Sequence, residues 1–255
     1  MLSYFRNILF PVFRKIKSFF ILLHRIKKIF KHYILPEKER EYQETENCYE
    51  KFSKDEMLKC YNHFRPSFLN SVFVDANKLN SYSLKKALEN HATQSNNFFV
   101  EFGVFRGLSI NAFAKILKHK KIYGFDSFEG LREDWAGTGV VKGEFDLKGK
   151  IPKLENNVIP VRGWVQNTVE PFLQEHKPLI SFAHMDLDTY ESTLFALQKI
   201  KPHLTKGSIL LFDELYNFPG WSVGEYKALA ESFDTKEYKI IAFAKDGWSV
   251  AIEII

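Results

Sequence analysis

No uncharged apolar stretch in this chain reaches the roughly 18 residues that a membrane-spanning helix requires. Cysteine is scarce: Cys48 and Cys60 are the two present, with no C-x-x-C pair, which excludes a disulfide framework and makes two free thiols in a reducing compartment the default. Internal repeats and low-complexity tracts are absent. So is the G-x-G-x-x-G fingerprint that dinucleotide pyrophosphate binding requires. Acidic residues are missing altogether from the first 33 positions.

What is present begins with that charge asymmetry. Residues 1–33 carry eight Lys/Arg and no acid, for +8, whereas the other 222 residues carry 28 basic and 31 acidic side chains, for −3. The overall +5 is therefore a basic segment on a mildly acidic body, not a nucleic-acid-binding surface. Within the segment, Val12, Ile16, Phe19, Leu23, Ile26, Phe30 and Tyr33 recur at spacings of 4 and 3, which predicts a basic amphipathic helix. Such a helix lies in an anionic membrane interface; the alternative is packing on its own domain or against a second subunit in a homodimer. The longest uncharged apolar run there, Phe19 to Leu23, is too short for a cleaved secretory signal, and no A-x-A-like site follows.

The chain divides into an amphipathic helix over 1–35, a helical linker or cap over 36–94, and a principal domain over 95–255. In the middle part, short helices are expected at 53–63, capped by Ser53 with Glu56 three residues on, and at 81–91, capped by Ser81 or Ser83. From residue 97 the pattern alternates. Short apolar runs at 98–100, 122–125, 158–161, 179–185 and 208–212 read as buried strands, separated by amphipathic helices near 108–118, 166–176 and 189–203, with another near 221–233. Tyr238 to Ala244 and Trp248 to Ile254 flank Lys245-Asp-Gly247, a strong hairpin signal. The expectation is an α/β fold: a doubly wound, Rossmann-like, seven-stranded sheet, mostly parallel, that closes with an antiparallel hairpin, as class I methyltransferases do.

Ligands of such sheets bind at the carboxyl ends of the strands. Glu101, Asp126, Asp186 and Asp213 all fall there. Glu101-x-Gly103-x-x-x-Gly107 follows the first of these strands and opens a helix; an acid in place of a phosphate-facing glycine suits a cationic ligand without phosphate, and S-adenosylmethionine fits. Asp126, with Ser127 beside it, sits where a carboxylate accepts ribose hydroxyls; Gly163-Trp164 sits where an aromatic stacks on adenine or joins the core. Asp186, Asp213 and Glu214 end adjacent strands and converge as hard oxygen ligands for Mg²⁺ or Mn²⁺. Asp186, which also borders the cofactor, and Asp188 are the candidate catalytic carboxylates, because without a metal one of the crowded acids has a raised pKa and serves as general base. The competing reading of each acid is a helix cap, and of His184 a satisfied core histidine.

These motifs, in order, are Glu101-Phe-Gly-Val-Phe-Arg-Gly107, Gly124-Phe-Asp-Ser-Phe-Glu-Gly-Leu131, Gly163-Trp-Val-Gln-Asn-Thr168, Met185-Asp-Leu-Asp-Thr-Tyr-Glu-Ser-Thr193 and Phe212-Asp-Glu-Leu-Tyr216. In them the chain resembles the macrocin O-methyltransferase family from about residue 95 to 255. The resemblance implies S-adenosylmethionine-dependent O-methylation of a sugar hydroxyl, in a glycan or a glycosylated small molecule, with Mg²⁺ on Asp186 and Asp213. It departs from the family at Glu214, where a second aspartate is usual. It also implies a substrate loop between Ser127 and Pro152, here rich in glycine and holding Trp135, which reads as a mobile lid.

Two other functions compete: a non-enzymatic membrane-surface adaptor with a methyltransferase-like sheet, which convergent carboxylates argue against, and a nicotinamide-dependent oxidoreductase, which the missing fingerprint and the terminal hairpin argue against. A cytoplasmic protein peripheral to the inner face of a membrane is the expected placement. Deleting residues 1–33 should abolish co-sedimentation with anionic vesicles and leave the remainder folded; aggregation of the truncated protein would instead make the segment part of the packing.

Overall fold

The computed structural model describes residues 47–94 and 96–255. The segment expected to form a basic helix, 1–35, lies outside the described residues. The elements, in chain order, are α1 (Cys48–Phe68), β1 (Val72–Val74), α2 (Ala76–Asn90), β2 (Asn97–Phe102), α3 (Leu108–Leu117), β3 (Ile122–Asp126), β4 (Val158–Arg162), α4 (Val165–His176), β5 (Leu179–Met185), α5 (Tyr190–Ile200), a 3₁₀ turn (Lys201–His203), β6 (Leu204–Phe212), α6 (Glu225–Ser232), β7 (Tyr238–Ala244) and β8 (Val250–Ile254). They build one eight-stranded sheet in the order β1-β7-β8-β6-β5-β2-β3-β4. All neighbours are parallel except β8, which runs antiparallel to both β6 and β7.

The apolar runs are buried on both faces because successive side chains point to opposite sides of the sheet. Along β6, Leu210 and Phe212 enter one core while Ile209 and Leu211 enter the other. The first core is completed by α1, α4, α5 and α6 through residues such as Phe64, Val169, Leu197 and Leu229; the second is completed by α2 and α3 through Leu79, Leu84, Ile110 and Phe113. The register levels the strand ends: Phe102 lies beside both Phe125 and Met185, and Met185 beside Phe212. The residues that follow, Gly103, Asp126, Asp186 and Asp213, therefore leave the sheet along one edge.

The structure differs from the sequence expectation in four places. The sheet has eight strands, not seven: Val72–Val74 is three residues long, too short to carry a periodicity, and pairs parallel to β7 at the edge. The two early helices are longer than expected. Ser53 lies inside α1, and Ser83 lies inside α2, where its hydroxyl bonds back to the Leu79 carbonyl. The sixth helix starts at Glu225 rather than near 221, and the second hairpin strand at Val250 rather than Trp248, whose carbonyl instead accepts the Leu215 and Tyr216 N–H groups.

The fourth difference concerns domain division. Residues 52–255 form one compact unit, so the boundary expected near 95 is not a boundary of the packing. Cys60 and Phe64 of α1 are core residues, and Phe64 meets Tyr216, Trp221, Tyr226 and Phe243 edge to face at 5.5–5.9 Å. Both thiols are free, with Cys60 buried. Lys245 and Lys78 both pair with Asp75, at 2.5 and 2.8 Å, and hold its carboxyl down to about 2; Asp246 accepts the Ala76 N–H at 2.7 Å. The hairpin turn is thereby fastened to the start of α2. No helix among the described residues is long and apolar enough to cross a membrane. Phe64→Ala should lower the unfolding free energy by about 3–5 kcal/mol through the cavity it leaves. Denaturant titration checks this, and a loss under 1 kcal/mol would show that α1 is not part of the cooperative core.

Candidate active site

The turn after β2 sets the floor of the site. Gly103 has φ +89°, and a Cβ there would overlap the Asp186 carbonyl oxygen, so no other residue fits between these two strand ends. Its N–H bonds the Phe125 carbonyl at 2.9 Å. Asp126 then fastens the turn: Oδ2 accepts the Val104 and Phe105 N–H groups at 2.8 and 2.7 Å, and Oδ1 accepts Phe128 N–H at 2.7 Å. A carboxylate offers about four lone-pair directions. With three used, Asp126 both shapes the loop and retains capacity for one ligand hydroxyl. Phe105, at φ +44° on this turn, is a cavity-lining residue that sequence reasoning missed; only its place inside the glycine motif hints at it.

A cavity opens above this turn. Gly103, Asp126, Ser127, Trp164, Asp186, Asp188 and Glu214 of the expected residues line it. Glu101, Gly107, Gly163 and Asp213 do not. Gly107 begins α3 with φ +77°, and Gly163 has φ +138° and donates to the Asp126 carbonyl at 2.9 Å; both shape backbone behind the cavity. Trp164, half-buried at the start of α4, lines the wall with the Arg132 guanidinium 5.3 Å from its ring centre. It lines the cavity rather than joining the core, at the position expected for an aromatic beside an adenine.

Glu101 departs most from expectation. It is completely buried rather than facing a ligand. One oxygen accepts the Ser109 hydroxyl at 2.9 Å and the other pairs with His184 Nδ1 at 3.2 Å. The opposite nitrogen of His184 lies 3.9 Å from Asp213. Burial alone would favour the neutral imidazole, but Asp213, Glu101 and the charge of Asp186 outweigh it and raise the His184 pKa well above its ordinary value. His184 is thus completely buried, held at Nδ1 by Glu101, with Nε2 making no hydrogen bond among the described residues. Asp213 answers in kind: burial pushing its carboxyl up is overcome by His184, Glu214 and Ser249, and the net shift is downward.

Asp186, Asp188 and Glu214 each bring a carboxylate oxygen to within 4.8 Å of one another. This corrects the expected ligand set: Asp188 joins the group and Asp213 does not. Asp213 and Glu214 are consecutive, so their side chains diverge; Glu214 turns to the cavity while Asp213 accepts the Ser249 hydroxyl at 3.0 Å. Asp188 reaches inward from a left-handed backbone, φ +61°, a conformation that non-glycine residues hold at some strain. Burial, then the charges of Asp213 and Asp126, push Asp188 up to about 7. Burial and then Asp213 raise Asp186 and Glu214 well above the carboxylate range. Glu214 Oε2 is buried without a hydrogen-bond partner among the described residues. Three hard oxygens, crowded and under-compensated, have the chemistry of a divalent-cation site.

The loop between Ser127 and Pro152, expected to be a mobile lid, packs over the cavity. Glu133 accepts the Glu191 N–H at the start of α5 at 3.0 Å, and Leu131, Arg132, Trp135 and Phe145 line the cavity from above.

The fold, with its glycine turn and line of strand-end acids, is that of an S-adenosylmethionine-dependent methyltransferase, and the comparisons with known proteins agree. Residues 100–215 match a family described as a methyltransferase domain. Among solved structures, the chain is similar to CalS11, a calicheamicin methyltransferase, at 25% identity over 70% of this chain and 80% of that one, with a TM-score of 0.53. It is also similar to apo CalS11, described as a TDP-rhamnose 3'-O-methyltransferase of calicheamicin biosynthesis, at 25% identity, the same coverage and a TM-score of 0.50. No curated protein sequence matches.

Behind the cluster, Glu225 is fully buried, accepts the Glu214 N–H at 3.2 Å, and is pushed up to about 8, chiefly by burial. Between the ordinary glutamate pKa of about 4.3 and 8, the folded protein keeps this proton and the unfolded chain loses it. Stability therefore falls as pH rises through that window. Glu225→Gln should flatten the decline in Tm between about pH 5 and 8 in metal-free buffer; an unchanged slope would mean that Glu225 is ionised in the fold.

Proposed function

We propose that the protein transfers the methyl group of S-adenosylmethionine to a hydroxyl of a sugar, within a glycan or a glycosylated small molecule, assisted by a divalent cation held by Asp186, Asp188 and Glu214. The observation that carries the reading is the convergence of these three carboxylates beside the cavity, with Glu214 Oε2 unpartnered among the described residues. The likeness to CalS11, described as acting on TDP-rhamnose, supports a sugar as acceptor, as does the resemblance to the macrocin O-methyltransferases.

Methyl transfer from a sulfonium needs no help in departure, since the leaving thioether is neutral. The demand falls on the hydroxyl, which has to shed its proton and point at the methyl carbon. The glycine turn and Asp126 hold the cofactor end. The carboxylates at the ends of β5 and β6 hold the acceptor end, and the docked lid keeps bulk water out. Bound there, Mg²⁺ supplies Lewis acidity that lowers the hydroxyl pKa. A second, metal-free reading rests on Asp188, whose pKa of about 7 suits a general base at neutral pH. The +8 charge of residues 1–33 supports action at an anionic membrane surface on the cytoplasmic side.

Transfer of a labelled methyl group to a panel that begins with TDP-rhamnose should be abolished by chelator and restored by Mg²⁺. Asp186→Ala should lower turnover by about 10² or more while calorimetry still detects cofactor binding. If chelator has no effect, the metal-assisted reading fails. The Asp188 reading then requires activity to fall as pH drops through about 7, with that limb absent in Asp188→Asn.

A further inference from the structure

The cavity has two ends along the sheet. The glycine turn, Asp126 and Trp164 sit over β2, β3 and β4; the acid cluster follows at β5 and β6. Neighbouring strands lie about 4.8 Å apart, so whatever lies beyond the cluster, toward β8, is two or more strands from the cofactor's end. Trp135 of the lid spans toward that end: its ring meets Trp248, in the turn between β7 and β8, at 6.4 Å and 83°, and also Phe145 at 6.5 Å, which in turn packs on Phe105 of the glycine turn at 5.2 Å. Trp248 in turn stacks on Phe218, which follows the Glu214 loop, at 5.0 Å. The lid tip is clasped to that same loop. A Cβ at Gly137 would overlap the Gly220 backbone, and a Cβ at Gly220 would overlap the Ala136 carbonyl, so the two backbones touch with nothing between them.

Held this way, Trp135 is buried and lines the cavity, yet its indole Nε1–H has no acceptor among the described residues. A buried donor left unpaired is destabilising, and each such case in a folded protein calls for an explanation. The indole can only donate, so what it lacks is an acceptor, which a ligand oxygen in the cavity would supply. The Glu214 carboxylate on the same cavity belongs to the end that takes the cation and the reacting hydroxyl, so the oxygen the indole would take is a second one on the ligand, and the indole ring offers that ligand an apolar face.

We infer that Trp135 is a specificity-determining residue for the acceptor: its Nε1–H donates to an acceptor oxygen other than the one methylated, and its ring covers the acceptor's apolar face. This rests on the sugar reading given above and adds a requirement to it, a polyhydroxylated acceptor with a second oxygen on the lid side. A mono-hydroxyl acceptor leaves the indole unpaired and is rejected.

The test uses the full chain, labelled with ¹⁵N and loaded with S-adenosylhomocysteine. The Trp135 indole resonance is assigned by its disappearance in Trp135→Phe. Addition of methyl α-L-rhamnoside or methyl β-D-glucoside should shift that resonance saturably, whereas S-adenosylhomocysteine alone should not. Trp135→Phe, which keeps a ring and removes the donor, should weaken glycoside binding about fivefold to tenfold and leave S-adenosylhomocysteine affinity unchanged. If other resonances respond to the glycosides and the Trp135 indole stays fixed, this inference fails and the sugar reading stands. If the indole shifts with S-adenosylhomocysteine alone, the donor belongs to the cofactor and the inference is overturned. If no resonance responds to either glycoside, the sugar reading itself fails and the assignment of Trp135 falls with it.

Discussion

One buried imidazole organises the site. His184 sits on β5 between Glu101 and Asp213, with Asp186 close by, and these acids raise its pKa well above the ordinary value, against the pull of burial. The opposing effects have different sizes. Burial would strip the proton from an isolated imidazole, but two flanking carboxylates at 3.2 and 3.9 Å, in a medium of low polarisability, reverse that. The pair is not itself a source of stability, because taking two charges out of water offsets most of their attraction. What it fixes is geometry. Glu101 is pinned by Ser109 and His184, Asp213 is drawn toward His184 and Ser249, and Glu214, its neighbour in sequence, is thereby turned into the cavity.

The same logic explains why the ligand-facing acids are left under-compensated. His184 pairs with Glu101 and lies near Asp213, the two that do not line the cavity, though burial still raises the Glu101 pKa. Asp186 also feels the imidazole, but burial and Asp213 outweigh it, and burial with neighbouring acids raises Asp188 and Glu214 as well. A fold selected for stability alone would not arrange them so, because each raised carboxyl pKa is a penalty on the ionised native state. The strained backbone at Asp188 adds to that penalty.

Much of this was legible in the sequence, and for identifiable reasons. Strands buried on both faces read as unbroken apolar runs, so β2 to β6 and their carboxyl ends could be placed closely, and with them the line of acids. The Asp-Gly turn located the terminal hairpin because few residue pairs adopt the backbone it needs. What was not legible depended on tertiary contacts. Three residues of β1 carry no period. The length of α1 comes from Phe64 docking into the core, which local propensity does not report. The role of Glu101 hinged on which way one side chain points and on a histidine 83 positions away.

The exchange of Asp213 for Asp188 shows where motif reading stops. Both Asp213 and Glu214 follow a strand that ends beside Asp186, and the backbone of Asp213 does bond to Met185 at 3.0 Å. Adjacency of backbones was therefore read correctly, and convergence of side chains did not follow from it. At a strand end, consecutive side chains face opposite ways, so two neighbouring acids cannot both enter one cavity unless the chain turns between them. Here the second position is occupied from another direction, by Asp188, through a left-handed residue that no periodicity announces. A carboxylate at position 214 that is one methylene longer than aspartate reaches further into the same space. The set Asp186, Asp188 and Glu214 is thus a consequence of backbone handedness and side-chain length acting together, and a shift in either would change which oxygens meet.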